Sequence, residues 1–255
     1  MSGLVLSVDG GVAELRLDNE EKLNALTVPM LEALDAHCAA LERSPEVRVV
    51  ILTGTGPKAF CAGADITAWG PMAPFDFARH WVREGHRIFD RLARLAKPTI
   101  AAVNGHALGG GLELASCCDI RVMAPRATLG LPEAGIGIVP GWSGTQRTAR
   151  LLPEPVVREM ALFGRRIGAE RAVALGFAAE VAEDVGMAAR AIAERAAGLS
   201  PRAVEVAKYM IAAGVGEDRA ALIEALGAGM ISASADRAEG VGAFVEKRKP
   251  EFPGR

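Results

Sequence analysis

The chain has 255 residues, half of them hydrophobic and 24% charged, with a formal net charge of -2 at pH 7. That length buries a substantial core, in one large domain or in one domain with an appendage. The near-neutral balance gives no electrostatic footprint for nucleic acid or an anionic membrane, and the cluster Lys247, Arg248, Lys249 reads as a solvated tail.

In chain order, residues 4–17 read as a hairpin: LVLSV, a turn at Asp9-Gly10-Gly11, then the alternating VAELRLD. Thr27 reads as the N-cap of a helix carrying Met30, Leu31, Leu34, Cys38 and Leu41 on one face and ending near Ser44-Pro45. VRVVILTG (47–54), PTIAAVNG (98–105) and CDIRVMA (118–124) are short apolar runs bounded by Gly, Pro or Asp, the pattern of strands buried on both faces. Helical stretches over 75–95 and 109–117 separate them, which argues for α/β layering with right-handed crossovers. Beyond residue 145 the segments 155–163, 169–176, 184–198, 201–213 and 217–232 read as helices, with a start signal at Ser200-Pro201. No Pro/Ser linker, low-complexity segment or fixed-period repeat interrupts the chain. The expected organisation is an α/β core over 1–195 and a helical C-terminal subdomain over 196–255, whose small apolar surface is a candidate for self-association.

Four cysteines (Cys38, Cys61, Cys117, Cys118) are too few and too irregular for a disulfide framework, and they read as reduced thiols of an intracellular protein. The opening MSGLVLSVDGG lacks the features of a signal or transit peptide. The closing FPGR carries no targeting tag, and no apolar run approaches membrane-spanning length. A cytoplasmic location is expected.

The segment Gly105–Glu133, GHALGGGLELASCCDIRVMAPRATLGLPE, holds the densest chemical signal. Gly109, Gly110 and Gly111 follow a strand and open an apolar helical run, where backbone N–H groups can approach a ligand and attract negative charge. The run is neither a dinucleotide fingerprint nor a P-loop. Glu113 sits among Leu112, Leu114 and Ala115, a costly place for a carboxylate without a task, and Glu133 follows in a Pro-Glu turn. Two carboxylates in one semi-apolar site repel, so one pKa rises and the pair can divide base and acid roles. Upstream, TGTGPKAFCAGADI (53–66) leaves a buried strand and reaches small residues whose backbone can face a ligand, though alone it reads as a loop with a helix start.

Other motifs weigh less. Gly141-Trp142-Ser143-Gly144-Thr145 resembles a nucleophile elbow but ends in Thr rather than Gly, so a serine hydrolase is disfavoured. His37, His80, His86 and His106 lack metal-binding context, so no metal is expected. Trp69 and Trp81 read as packing or pocket wall.

With these residues in place, the chain resembles the enoyl-CoA hydratase/isomerase (crotonase) family over essentially its whole length. The resemblance is carried by EKLNAL (21–26), FCAGADI (60–66), NGHALGGGLELASCCDIRVMA (104–124), LPEAGIGIVPGWSGTQR (131–147) and ISASADRAEGVGAFVEKRKPEF (231–252). It implies an α/β fold, a crotonase-like superhelix of stacked β-β-α units with a C-terminal helical trimerisation region, forming a homotrimer or a dimer of trimers. It implies an acyl-CoA substrate, with CoA as part of the substrate and no further cofactor. By position, Ala64 and Gly110 would supply an oxyanion hole for the thioester oxygen. Glu113 and Glu133 would orient and deprotonate water, and Glu133 would protonate Cα. Having both acids favours hydration over isomerisation or another crotonase-type lyase or hydrolase reaction, and over a catalytically silent CoA-binding protein. Gly141 would contact the bound water. Lys22, Ala25, Ala62, Asp65, Ile66, Gly109, Pro132 and Trp142 would line the substrate, and Phe244 and Lys247 would reach a neighbouring subunit's CoA. Trp142-Ser143 replaces a smaller pair found in many short-chain members, and residues 67–71 fall in the family's variable region, so both bear on the acyl pocket.

Overall fold

A computed structural model describes residues 3–217 and 219–255 of the chain. The chain divides into two compact units, Met1–Pro201 and Arg202–Arg255.

The first unit opens with β1 (Gly3–Asp9) and β2 (Val12–Asp18), paired antiparallel around a two-residue turn. Gly10 and Gly11 there take φ of 56° and 81°. A type I′ hairpin turn demands positive φ at both central positions, which glycine meets without Cβ strain. Thr27 caps α1 (Val28–Arg43), its hydroxyl accepting from the Met30 N–H. The five expected residues of that helix form its buried face.

Three times the chain then runs along one sheet and crosses to a second. Strands β3 (Val49–Gly54), β5 (Thr99–Val103) and β7 (Ile120–Met123) extend the hairpin in parallel. They are followed respectively by β4 (Ala59–Cys61), β6 (His106–Leu108) and β8 (Thr128–Gly130), which pair in parallel with one another. Helix α2 (Arg83–Ala93) lies between the first and second pairs, and α3 (Gly110–Ala115) between the second and third. After α4 (Glu154–Phe163), β9 (Ile167–Gly168) closes the smaller sheet antiparallel. After α5 (Ala169–Ala174), β10 (Glu180–Val181) completes the larger one. The orders are β1-β2-β3-β5-β7-β10 and β4-β6-β8-β9.

All six residues of β3 and all five of β5 are buried. Helix α6 (Val185–Ala197) packs across β2, β3, β5 and β7 and presents Val185, Ala189 and Ala193 as its buried residues. Alanines four apart form one small-residue stripe that lets the helix sit close to the strands. Arg121, itself buried, ties the end of α3: its guanidinium donates to the carbonyls of Cys118 at 2.7 Å and Asp119 at 3.1 Å, and lies 4.7 Å from the Phe177 ring. No helix among the described residues is long and apolar enough to cross a membrane.

The second sheet is absent from the residue patterns, although the stacked β-β-α units implied by the resemblance provide for it. Its strands have two or three residues, too few to show an alternating pattern. The expected strand 98–105 ends at Val103, and Asn104-Gly105 turn the chain into β6. The loop read over 53–66 contains β4. The helix expected over 75–95 opens with a short α-helical turn, Pro74–Asp76, and passes through a π-helical one, Phe77–Val82, before α2.

The second unit contains α7 (Pro201–Gly214) from its second residue on, α8 (Arg219–Ser232) and α9 (Ala235–Glu246). Asp218, within the helix expected over 217–232, lies outside the described residues. The basic cluster read as a solvated tail is exposed, and the tail also folds back on α9. Arg248 grips Glu239 through two nitrogens at 2.6 and 2.9 Å, and Gly254 N–H donates to Asp236 at 2.7 Å.

Candidate active site

The adjacent parallel strands β4, β6 and β8 each lead into one part of the site: Ala64 follows β4, Gly109-Gly110 follow β6 and Glu133 follows β8. Around Ala64 the backbone is bound to Leu26 on both sides, with Leu26 N–H donating to Gly63 O and Asp65 N–H to Leu26 O, each at 2.8 Å. Gly109 takes φ 52° and ψ -124°, which turns the chain into α3. Among the described residues, neither the Ala64 nor the Gly110 N–H has a protein acceptor. The two loops touch: a Cβ built on Gly110 lies 3.6 Å from the Ala64 nitrogen. Two open donors side by side can seat an oxygen that gains negative charge.

Both glutamates are buried, Glu113 at 3% and Glu133 at 7% exposure. Glu113 Oε1 accepts from the N–H groups of Trp142 and Gly144, each at 2.7 Å. Burial pushes its carboxyl up to about 7, against the pull of those two donors, and the neighbouring Glu133 charge adds to the rise. Burial also raises Glu133, whose Oε2 is buried without a hydrogen-bond partner. Such an atom is a costly defect unless a ligand or water completes it. The two carboxylates and the two donors line one cavity of about 120 Å³, whose remaining wall is apolar and includes Trp69, Phe77, Trp81, Val82 and Trp142.

Residues 7–255 match the family model described as enoyl-CoA hydratase/isomerase. The chain belongs to that family. It is 36% identical over 98% of its length to the short-chain-enoyl-CoA hydratase of Clostridium acetobutylicum, covering 97% of that protein. It is also 36% identical to the (E)-benzylidenesuccinyl-CoA hydratase of Thauera aromatica, over 98% of this chain and 99% of that one. The crystal structure of an enoyl-CoA hydratase from Bacillus anthracis superposes with a TM-score of 0.81 at 36% identity and 99% coverage of both chains. The fold is thus crotonase-like, with the C-terminal helical region expected for it.

Within this family member, Glu113, Glu133, Ala64, Gly110, Ala62, Ile66, Gly109, Pro132, Gly141 and Trp142 all line the cavity. Lys22, Ala25 and Asp65 do not. Lys22 instead pairs with Asp65 at 2.8 Å, and the Ala25 carbonyl accepts from Asn19. Phe244 and Lys247 belong to the second unit, where Phe244 is exposed and Lys247 ends α9 at φ 54°. The site's donors at Glu113 are Trp142 and Gly144, while the Gly141 N–H, expected to meet water, has no acceptor among the described residues.

Ser143 is no nucleophile. Its Oγ lies 3.3 and 3.4 Å from the two ring nitrogens of His86, so neither nitrogen is singled out as base, and the residue does not line the cavity. Its φ of 78° aims the flanking N–H groups at Glu113 instead. Cys61 stays a thiol, because burial pushes it up to about 12.

Two residues missed by sequence reasoning hold the turn from β3 into β4, the strand that leads to Ala64. Asn104 Nδ2 donates to Gly56 O at 2.6 Å, and its Oδ1 accepts from Gly54 N–H at 3.1 Å. Asn24, at φ 56°, donates to Thr55 O and Ala59 O at 2.9 and 2.8 Å. The signal was in view: both asparagines fall inside the EKLNAL and NGHALGGG motifs.

Proposed function

We propose that the protein adds water across the double bond of a trans-2-enoyl-CoA thioester to give a 3-hydroxyacyl-CoA. The observation that carries this reading is the unpartnered, buried Oε2 of Glu133, in an apolar cavity with a second carboxylate and two open backbone donors. The thioester oxygen takes the Ala64 and Gly110 N–H groups, which stabilise the enolate charge as it develops. A water lies between the carboxylates. Glu113, held near 7, is a base matched to neutral pH. It takes one proton of the water while the hydroxide adds to Cβ, and Glu133 gives its proton to Cα. The pair ends with the same single proton it began with, moved from one acid to the other. Isomerisation only shuttles one proton between two carbons and asks for a single carboxylate, so the pair favours hydration.

In this reading Lys22, Ala25, Ala62, Asp65 and Ile66 lie along the CoA limb. The enzyme works in the cytoplasm as a homotrimer or dimer of trimers, with Phe244 and Lys247 serving a neighbouring subunit's CoA. Exposed apolar side chains of the second unit, such as Met210, Met230 and Phe244, support an assembly that covers them. The test is loss of the enoyl-thioester ultraviolet absorbance of crotonyl-CoA. Glu113→Gln and Glu133→Gln should each slow it about 10²–10⁴-fold. Folded wild-type protein that leaves every enoyl-CoA unchanged would overturn the reading.

A further inference from the structure

We propose that Trp142 sets the length limit of the acyl pocket, with Gly85 as its matched partner. The proposal rests on the hydratase reading above. The Trp142 indole is buried and held on several sides. Its Nε1–H donates to the Trp81 carbonyl at 3.2 Å, and its ring packs on those of Trp81 and Phe89 with centroids 5.1 and 4.9 Å away. Behind it, a Cβ on Gly85 would fall 2.1 Å from Nε1. Only glycine fits beneath the indole, although glycine inside a helix costs about 1 kcal/mol relative to alanine.

On the cavity side, Cζ3 lies 3.1 Å from a Cβ built on Gly110, the residue whose N–H takes the thioester oxygen. The indole lines the cavity together with Gly110 and both glutamates, and Gly85 behind it leaves no room to retreat. The cavity of about 120 Å³ is slightly smaller than the roughly 150 Å³ that accommodates a benzene. With the attacking water inside, little of that room is left, which favours a short acyl chain. Each further methylene has to push against a ring that is hydrogen-bonded and backed by helix α2.

The experiment compares kcat/KM for crotonyl-CoA and trans-2-decenoyl-CoA, and calorimetric binding of butyryl-CoA and decanoyl-CoA, in wild type, Trp142→Ala, Trp142→Phe and Gly85→Ala. Wild type should favour the short substrate by about 100-fold, within the range that pocket size alone can discriminate. Trp142→Ala should cut that preference at least about tenfold and tighten decanoyl-CoA binding in step. Trp142→Phe should keep the preference, and Gly85→Ala, which drives the indole into the cavity, should weaken even the short ligand. A ratio between two substrates is unmoved by a general loss of folded protein. Equal handling of both lengths by wild type, or a preference unchanged in Trp142→Ala, would overturn the proposal. Length-selective binding without any hydration would overturn the hydratase reading and leave the length limit standing.

Discussion

Ser143 turns its backbone to φ 78°, and by doing so brings the N–H on either side of it onto one oxygen of Glu113. The arrangement is a small anion nest built from main chain. A non-glycine residue in this region carries about 1–2 kcal/mol of strain. Ser143→Gly should therefore raise the melting temperature and keep the hydration rate, whereas Ser143→Val should lower both. A Ser143→Gly enzyme without activity would contradict the role given to the backbone and revive the hydroxyl as a reactant.

Gly144 is the second donor of that nest. A Cβ there would stand 2.7 Å from Glu113 Oε1 and 2.8 Å from Pro140 Cβ. Gly144→Ala should lower kcat about 100-fold, the scale of losing a fixed donor, with the circular dichroism spectrum unchanged. Wild-type turnover in this variant would mean that Glu113 does not depend on the nest.

Glu113 also links stability to pH. Its folded carboxyl lies near 7, against 4.5 for a free glutamate side chain, so the native state binds this proton more tightly than the unfolded chain. Between those values the folded state holds more protons. Stability therefore falls as pH rises through the window, by about 3 kcal/mol in all. Glu113→Gln keeps an acceptor for both N–H groups and removes the titration. Thermal melts should show the variant close to wild type at pH 5 and several degrees above it at pH 8. Parallel pH profiles for the two proteins would contradict the burial argument.

Asn104→Ala tests the turn from β3 into β4, the strand from which the Ala64 loop leaves. It deletes a donor to Gly56 O and leaves the buried Gly54 N–H without its acceptor. The expected loss is about 2–4 kcal/mol, seen as a lower urea midpoint, together with a reduced kcat as the loop slackens. A normal kcat at full occupancy of the folded state would limit Asn104 to stability.

Much of the architecture could be read locally. The glycine pair at residues 10 and 11, the Thr27 cap and the 3.6-residue spacing of Met30, Leu34 and Cys38 are all properties of neighbouring residues. Glu113 stood out because its apolar flanks foretold burial. What stayed hidden depends on distance along the chain. Three-residue strands such as AFC and HAL exist because partners nearly fifty positions away bond to them, not because of any pattern of their own. The indole of Trp142 rests on Gly85, and nothing in GWSGT announces the glycine that makes space for it. The positive φ of Ser143 likewise answers to Glu113, thirty positions earlier.

The small sheet has a consequence for how such a catalyst can change. Ala64, Gly110 and Glu133 hang from three neighbouring strands, and neighbouring strands stand about 4.7–4.9 Å apart. The points from which these two loops and the acid leave the sheet are therefore set by the hydrogen-bond ladder rather than by side-chain packing. Evolution can exchange the residue at any strand end and inherit the layout intact. An insertion between Gly130 and Glu133, by contrast, would shift the acid off this lattice and silence the chemistry without unfolding the protein.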